Sequence, residues 1–203
     1  MPTFTSASFT ESLQSLLQQG MAASAQGNNK LALELFFDAS LAYPDAAQPH
    51  FLLGSEYASL GQTDNAEASF AHAVLRAPDM AIARYQLGLL QFSSGRGAMA
   101  MVTWQPLLAL ASDGPLPHFV RGFEALAQDG FKDARRFFEL GIQCNVDNPP
   151  MTADIHKVIR EIDRILAENS SDQLKTHVDA EPQDGIEQSH ILLSNYRQQG
   201  PGH

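Results

Sequence analysis

The polar and apolar positions of this chain fall into short helical stretches that return every thirty-four residues. Gly20, Gly54, Gly88 and Gly122 lie in one register, Ala32, Ala66, Ala100 and Ala134 in a second, and Phe36, Phe70, Trp104 and Phe138 in a third. Glycine is about 7% of average composition, so four in line is an event of order 10⁻⁵ per starting point. Two further columns in the same register make the pattern a tandem repeat. Each unit reads as an A helix and a B helix joined by a tight turn, which Gly27, Gly61 or Gly95 lets the backbone make. The glycine of helix A and the small residues of helix B leave little side chain between the two axes. The aromatic residue is expected to fill the space towards the neighbouring unit.

The stretch Leu53-Gly54, Tyr57, Gly61, Ala66, Phe70, Ala73, Pro78 carries the pattern most fully. This spacing resembles the tetratricopeptide repeat (TPR) family. The resemblance covers residues 13–148 as units 13–46, 47–80, 81–114 and 115–148, after an N-terminal segment 1–12 that leads into the first helix. Pro44 and Pro78 are expected to stop the B helices of the first two units. In the third unit Ser112 stands at that place, and Asp113-Gly114-Pro115 is expected to break the helix instead. The fourth is the loosest match, with Arg121 before Gly122 and Asp129-Gly130 at its turn. The fold class implied is all-α, a right-handed α-solenoid of four helix pairs, because one pair cannot bury its apolar face alone and stacked pairs can.

After Pro149-Pro150, residues 151–169 place Ile155, Val158, Ile159, Ile162, Ile165 and Leu166 on one helical face, with His156, Lys157, Arg160, Glu161 and Arg164 opposite. Residues 149–169 therefore read as a helix capping the open end of the last unit. Residues 170–203 read as a flexible tail, polar and aperiodic over 170–185, with a short apolar segment at 186–198 that includes Ile191, Leu192, Leu193 and Tyr196. That segment could dock on its own solenoid, serve as a linear motif for another protein, or remain without structure.

Composition narrows the function. The chain has 203 residues with 13 Lys and Arg against 23 Asp and Glu, a formal charge of -10. No concentrated positive surface is visible, so nucleic acid and anionic membranes are poor partners. Cys144 is the single cysteine and reads as a small packed thiol. The first fourteen residues hold no Lys, Arg or apolar run, so they do not read as a secretory signal, and the cytoplasm is the expected compartment. His50 and His118 recur at one repeat position without a neighbouring carboxylate or Cys. Gly95-Arg96-Gly97 lacks the strand and Lys of a phosphate loop. No nucleophile, base and orienting group converge. No catalytic residue, metal or cofactor is expected.

The family resemblance implies that A helices line a concave wall and that places two, five, nine, twelve and thirteen of each unit face it. Partner contacts are then expected from Leu17, Met21, Phe51, Ser55, Ile82, Tyr85, Leu89, Phe92, Phe119 and Phe123. Relatives that capture a C-terminal carboxylate do so with Lys, Arg and Asn at such positions. Here Leu17, Phe51, Tyr85 and Phe119 hold the fifth places and offer no counter-charge. The expected guest is an apolar peptide or helical segment of another protein, and the expected role is that of an adaptor, scaffold or chaperone. Size, acidity and apolar groove are similar to those of cytoplasmic repeat chaperones of bacterial secretion systems, which have three repeats and no such tail. The second reading is an assembly subunit whose groove is closed by its own tail, with partners on outer surfaces.

Overall fold

The structure, a computed structural model, describes residues 6–176 apart from Ser112, and backbone alone at 6–11 and 170–176. Among these residues the fold is all-α and of the α-solenoid class. The helices are α1 (Ser6–Ala25), α2 (Asn29–Ala42), α3 (Ala47–Ser59), α4 (Thr63–Arg76), α5 (Ala81–Ser93), α6 (Gly97–Trp104), α7 (Pro115–Leu126), α8 (Phe131–Cys144) and α9 (Pro149–Thr176). The chain divides between Gln91 and Phe92 into two compact units.

In the first unit α1 packs on α2 and α3 on α4, each pair closed by a turn too short for anything but antiparallel neighbours. Gly27 and Gly61 take φ of 73° and 70°, the left-handed conformation that costs a residue with a Cβ roughly 1–2 kcal/mol. The amide of the next residue then reaches back to the helix, Asn28 to the Ala23 carbonyl and Gln62 to that of Tyr57, both at 2.9 Å. Helix ends that would otherwise leave carbonyls unpaired are closed in this way. α2 and α4 stop at Ala42 and Arg76, two residues before Pro44 and Pro78.

The repeated aromatic makes two contacts, one of them not expected from the sequence. Phe36 reaches Leu53 and Phe70 reaches Leu87 of the following pair, as expected, and each ring also lies flat on the glycine of its own pair. A Cβ on Gly54 would meet the Phe70 ring at 2.7 Å and one on Gly122 would meet Phe138 at 2.5 Å, and Phe36 covers Gly20 in the same manner. Carbon atoms cannot approach so closely, so glycine is what admits the ring between the helices. Phe36, Phe70 and Phe138 are at most 2% exposed, and Ala32, Ala66 and Ala134 beside them have no exposure at all.

In the second unit α7 packs on α8 and α8 on α9. The first helix of this unit that lies wholly within it, α6, is short. It gives way at Gln105 to a 3₁₀ turn, Gln105–Ala109, well before the Asp113-Gly114-Pro115 break expected from the sequence. Pro106 is the cause. It lacks an amide proton, and its ring collides with the carbonyl four residues earlier in an α-helix. In α8's turn Asp129, rather than Gly130, takes the left-handed conformation, with φ of 56°. α9 runs on to Thr176, past Asn169 where its apolar pattern ends, since neither Gly nor Pro stands between Met151 and Pro182 to break it. Residues 170–176 are thus helical where a linker was expected, and the apolar segment 186–198 lies outside the described residues. Met151, Ile155, Ile159 and Ile162 are the buried face of α9, and Asp163 pairs with Arg135 of α8 at 2.9 Å.

Candidate partner-binding surface

The stripe expected to meet a partner runs along α1, α3 and α5 in the first unit. A-helix side chains spaced by four and by three or four residues share one face, so each of these helices contributes a short row. Leu17 is half-buried against the cluster of Ala23, Ala32, Phe36 and Leu53. One turn further on, Met21 is 46% exposed. Phe51 is half-buried, its ring 5.7 Å from that of Phe70, and packs on the cluster that includes Leu87 of α5. Ser55 is half-buried and donates to the Phe51 carbonyl at 3.0 Å, which turns its hydroxyl back into the helix. Ile82 and Leu89 of α5 are half-buried.

The remaining sequence-predicted positions divide. Tyr85 is 2% exposed, Phe119 has no exposure and Phe123 is 3% exposed. These three are core, out of reach of any partner. Phe123 stacks on Trp104 at 5.1 Å and meets Phe138 edge-on at 5.0 Å. Half-buried Phe92 closes the same cluster, 5.9 Å from Trp104 and 5.1 Å from Phe123. The aromatic richness that sequence reading assigned to an open groove is therefore largely internal packing of the second unit. Aromatic side chains each bury a large area, and here they do so against one another.

One polar feature of the stripe was not foreseen. Glu56 is 5% exposed. Its Oε2 accepts from the Ser24 hydroxyl of α1 at 2.7 Å, while its Oε1 is buried without a partner. The pair links α1 to α3 across the wall. Glu56 is the sole acidic or basic residue of α3 apart from His50, and that isolation within an apolar helix is the signal that could have singled it out. From Ser12 to Ala25, α1 has no ionisable side chain. The accessible part of the stripe is thus without charge.

His50 lies behind it and faces α4, its ring centroid 5.4 Å from that of His72. Burial, and then the positive charges of Arg76 and His72, hold its pKa below the usual histidine value of 6.5. Arg76 is itself engaged, its Nε donating to the Pro44 carbonyl. His118 is half-buried on α7, and Cys144 is half-buried at the end of α8. Among the described residues no three or more His, Cys, Asp or Glu side chains gather to hold a metal, and no helix is long and apolar enough to cross a membrane.

The paired helices, the left-handed glycines at the turns and the aromatic-on-glycine contact define a helical-repeat protein. Comparison gives the repeat its name: the tetratricopeptide repeat profile matches residues 47–80. Two solved structures share its fold. The crystal structure of MamA superposes with a TM-score of 0.55 at 18% identity, over 65% of this chain and 77% of MamA. MamA from residue 41 onward, from Desulfovibrio magneticus RS-1, gives 0.55 at 14% identity, over 79% and 96%. At such identity the likeness concerns the fold alone. No curated protein sequence matches the chain.

Proposed function

We propose that the chain is a non-enzymatic adaptor, scaffold or chaperone that holds an apolar peptide or helical segment of a partner protein on the A-helix stripe of its first unit. The tetratricopeptide fold is a protein–protein interaction fold, and the stripe supports this reading at the level of chemistry. The observation that carries it is the withdrawal of Glu56 into the wall, which leaves Met21 exposed between half-buried Leu17, Phe51 and Ser55 with no charge among them. Ile82 and Leu89 continue the row on α5. Tyr85 supports the wall from inside.

A guest for such a surface is apolar, because an ionic guest would lose its hydration and gain no counter-charge. The chain's excess of 23 acidic over 13 basic residues also favours a protein partner over nucleic acid or an anionic membrane, and fits a role in the cytoplasm. The alternative, in which the chain's own tail fills the stripe, rests on residues outside those described.

A photoreactive residue placed at position 21 or 55 tests the proposal. In native lysate it is expected to form an adduct with a partner, identified by mass spectrometry, that is absent when the same group stands at Glu139 on α8. Adding Met21→Glu to the position-55 protein is expected to abolish the adduct. Equal adducts from positions 21, 55 and 139 would move binding away from this stripe.

A further inference from the structure

The outer face of α2 carries a second feature that the concave stripe does not explain. Its inner face is Ala32, Phe36 and Ala39, all at most 2% exposed. On the opposite side Leu31 is 41% exposed, Phe37 51% and Leu41 65%. These span about 15 Å at 1.5 Å per residue, close to three turns of one helix. Between them stand exposed Glu34 and Asp38, with exposed Asp45 just beyond the helix end. The one cation of α2 on this face, Lys30, lies 3.8 Å from the Glu34 carboxylate, and Arg76 of α4 reaches the Pro44 carbonyl beside Asp45.

The other B helices serve as an internal control. α4 and α8 share the first inward alanine and the aromatic of α2, so the fold sets those places alike, whereas the outer places are free. Where α2 has Leu31, Phe37 and Leu41, α4 has Asn65, Ala71 and Leu75, and α8 has Asp133, Glu139 and Gln143. α8 shows what a solvated outer face looks like here: Arg135 pairs with Glu139 at 3.2 Å, and neither is buried. The helix pair does not need large apolar residues at these places, so on α2 they answer to something outside it. Contiguous exposed apolar residues framed by charge usually mark an interaction site.

We propose that the outer face of α2 docks a basic amphipathic helix of a partner protein, whose apolar row covers Phe37 and Leu41 and whose Lys or Arg residues pair with Glu34, Asp38 and Asp45. Charge selects this occupant. A second copy of the chain meeting the first face to face would set the same three carboxylates against themselves. The apolar tail segment 186–198 carries one Glu187 and one Arg197, and so has no excess of positive charge to match three carboxylates. A basic helix satisfies both halves of the surface, since rim charges direct approach while the apolar pair supplies contact area. The site is separate from the A-helix stripe, and it stands or falls independently of the function proposed for that stripe.

The test uses the full chain and a fluorescein-labelled peptide of about fourteen residues, long enough for four helical turns, built from Leu at helical spacing with Lys elsewhere. A second peptide replaces every Lys by Glu. Fluorescence anisotropy is expected to give binding of the Lys peptide at least about tenfold tighter than the Glu peptide. The double variant Phe37→Ser, Leu41→Ser, which changes no charge and alters only exposed side chains, is expected to weaken the Lys peptide by about tenfold or more with its helical circular dichroism intact. Met21→Glu is expected to leave that affinity unchanged.

Undiminished binding by the serine variant would reduce the interaction to bulk attraction by an acidic protein and overturn the proposal. So would equal binding of the two peptides. Self-association in sedimentation that the serine variant abolishes, with no peptide binding, would give the face to a second copy instead. A rise in peptide affinity on Ile191→Ser, Leu193→Ser would give it to the chain's own tail.

Discussion

The ring of Phe119 lies on the bare Cα of Gly141, so close that a Cβ there would overlap its edge carbons. This is the repeated aromatic-on-glycine contact turned around: the ring now comes from the A helix, α7, and the glycine from the B helix, α8. In the first two pairs the places of Gly141 belong to Ala39 and Ala73, and those of Phe119 to Leu17 and Phe51, which stay half-buried. Between α7 and α8 the missing methyl group leaves room for the ring of Phe119.

Gly141→Ala is therefore expected to destabilise the second unit by about 1–3 kcal/mol, the usual range for overpacking a filled core. Gly54→Ala is expected to behave alike in the first unit, where the Phe70 ring leaves 2.7 Å. Urea denaturation followed by circular dichroism measures both. An unchanged midpoint for either would mean that the ring can slide aside at no cost.

The link between Ser24 and Glu56 makes a second expectation. Ser24→Ala removes the one donor to the Glu56 carboxylate and is expected to cost about 1–3 kcal/mol, the penalty of a buried polar group left unpaired. Ser24→Ala combined with Glu56→Leu removes both partners and is expected to recover most of that loss. A double-mutant cycle on thermal unfolding reads the coupling, and simple additivity would show that the bond contributes nothing.

Asp129 holds φ of 56° where the preceding turns use glycine at Gly27, Gly61 and Gly95. Asp129→Gly is expected to stabilise the second unit by about 0.5 kcal/mol, relief of left-handed strain being partly offset by a freer unfolded chain. Gly130 cannot exchange places freely, because a Cβ there would come within 3.2 Å of the Ala125 carbonyl oxygen. Asp129→Ala, which keeps the Cβ and loses the aspartate's tolerance of this conformation, is expected to shift the midpoint the other way.

His50 gives the protein a pH dependence whose sign follows from its lowered pKa. Below about pH 6.5 the unfolded chain takes up a proton that the folded His50 resists, so stability falls as pH drops from there towards the folded value. Above that window the group is neutral in both states and contributes no slope. Replacement His50→Gln is expected to flatten this part of the stability profile, measured as the urea midpoint between about pH 7.5 and 5.5. An identical slope in wild type and variant would assign it to other histidines.

How much of this could be read in advance depends on what kind of constraint each residue obeys. Helix pairing, the turns at Gly27, Gly61 and Gly95, and the apolar row of Ile155, Ile159 and Ile162 all follow from local rules that act within a few residues. They were legible because the thirty-four-residue period states them repeatedly. Pro106 is just as local, and its effect on α6 follows from the same kind of rule.

Exposure is another matter. Leu17, Phe51, Tyr85 and Phe119 hold one repeat position and read alike in sequence, yet two are half-buried and two are closed off. Whether a side chain at that place is covered depends on the volume of residues more than twenty positions away, as Gly141 shows for Phe119. The same holds for Glu56, whose burial depends on Ser24 of another helix. The sequence by itself thus determined the helices, their pairing and the repeat, since periodicity is a statement about neighbours along the chain. Only the tertiary structure decided which of the apolar positions remain open to a partner, because burial is a property of what packs across the space between helices.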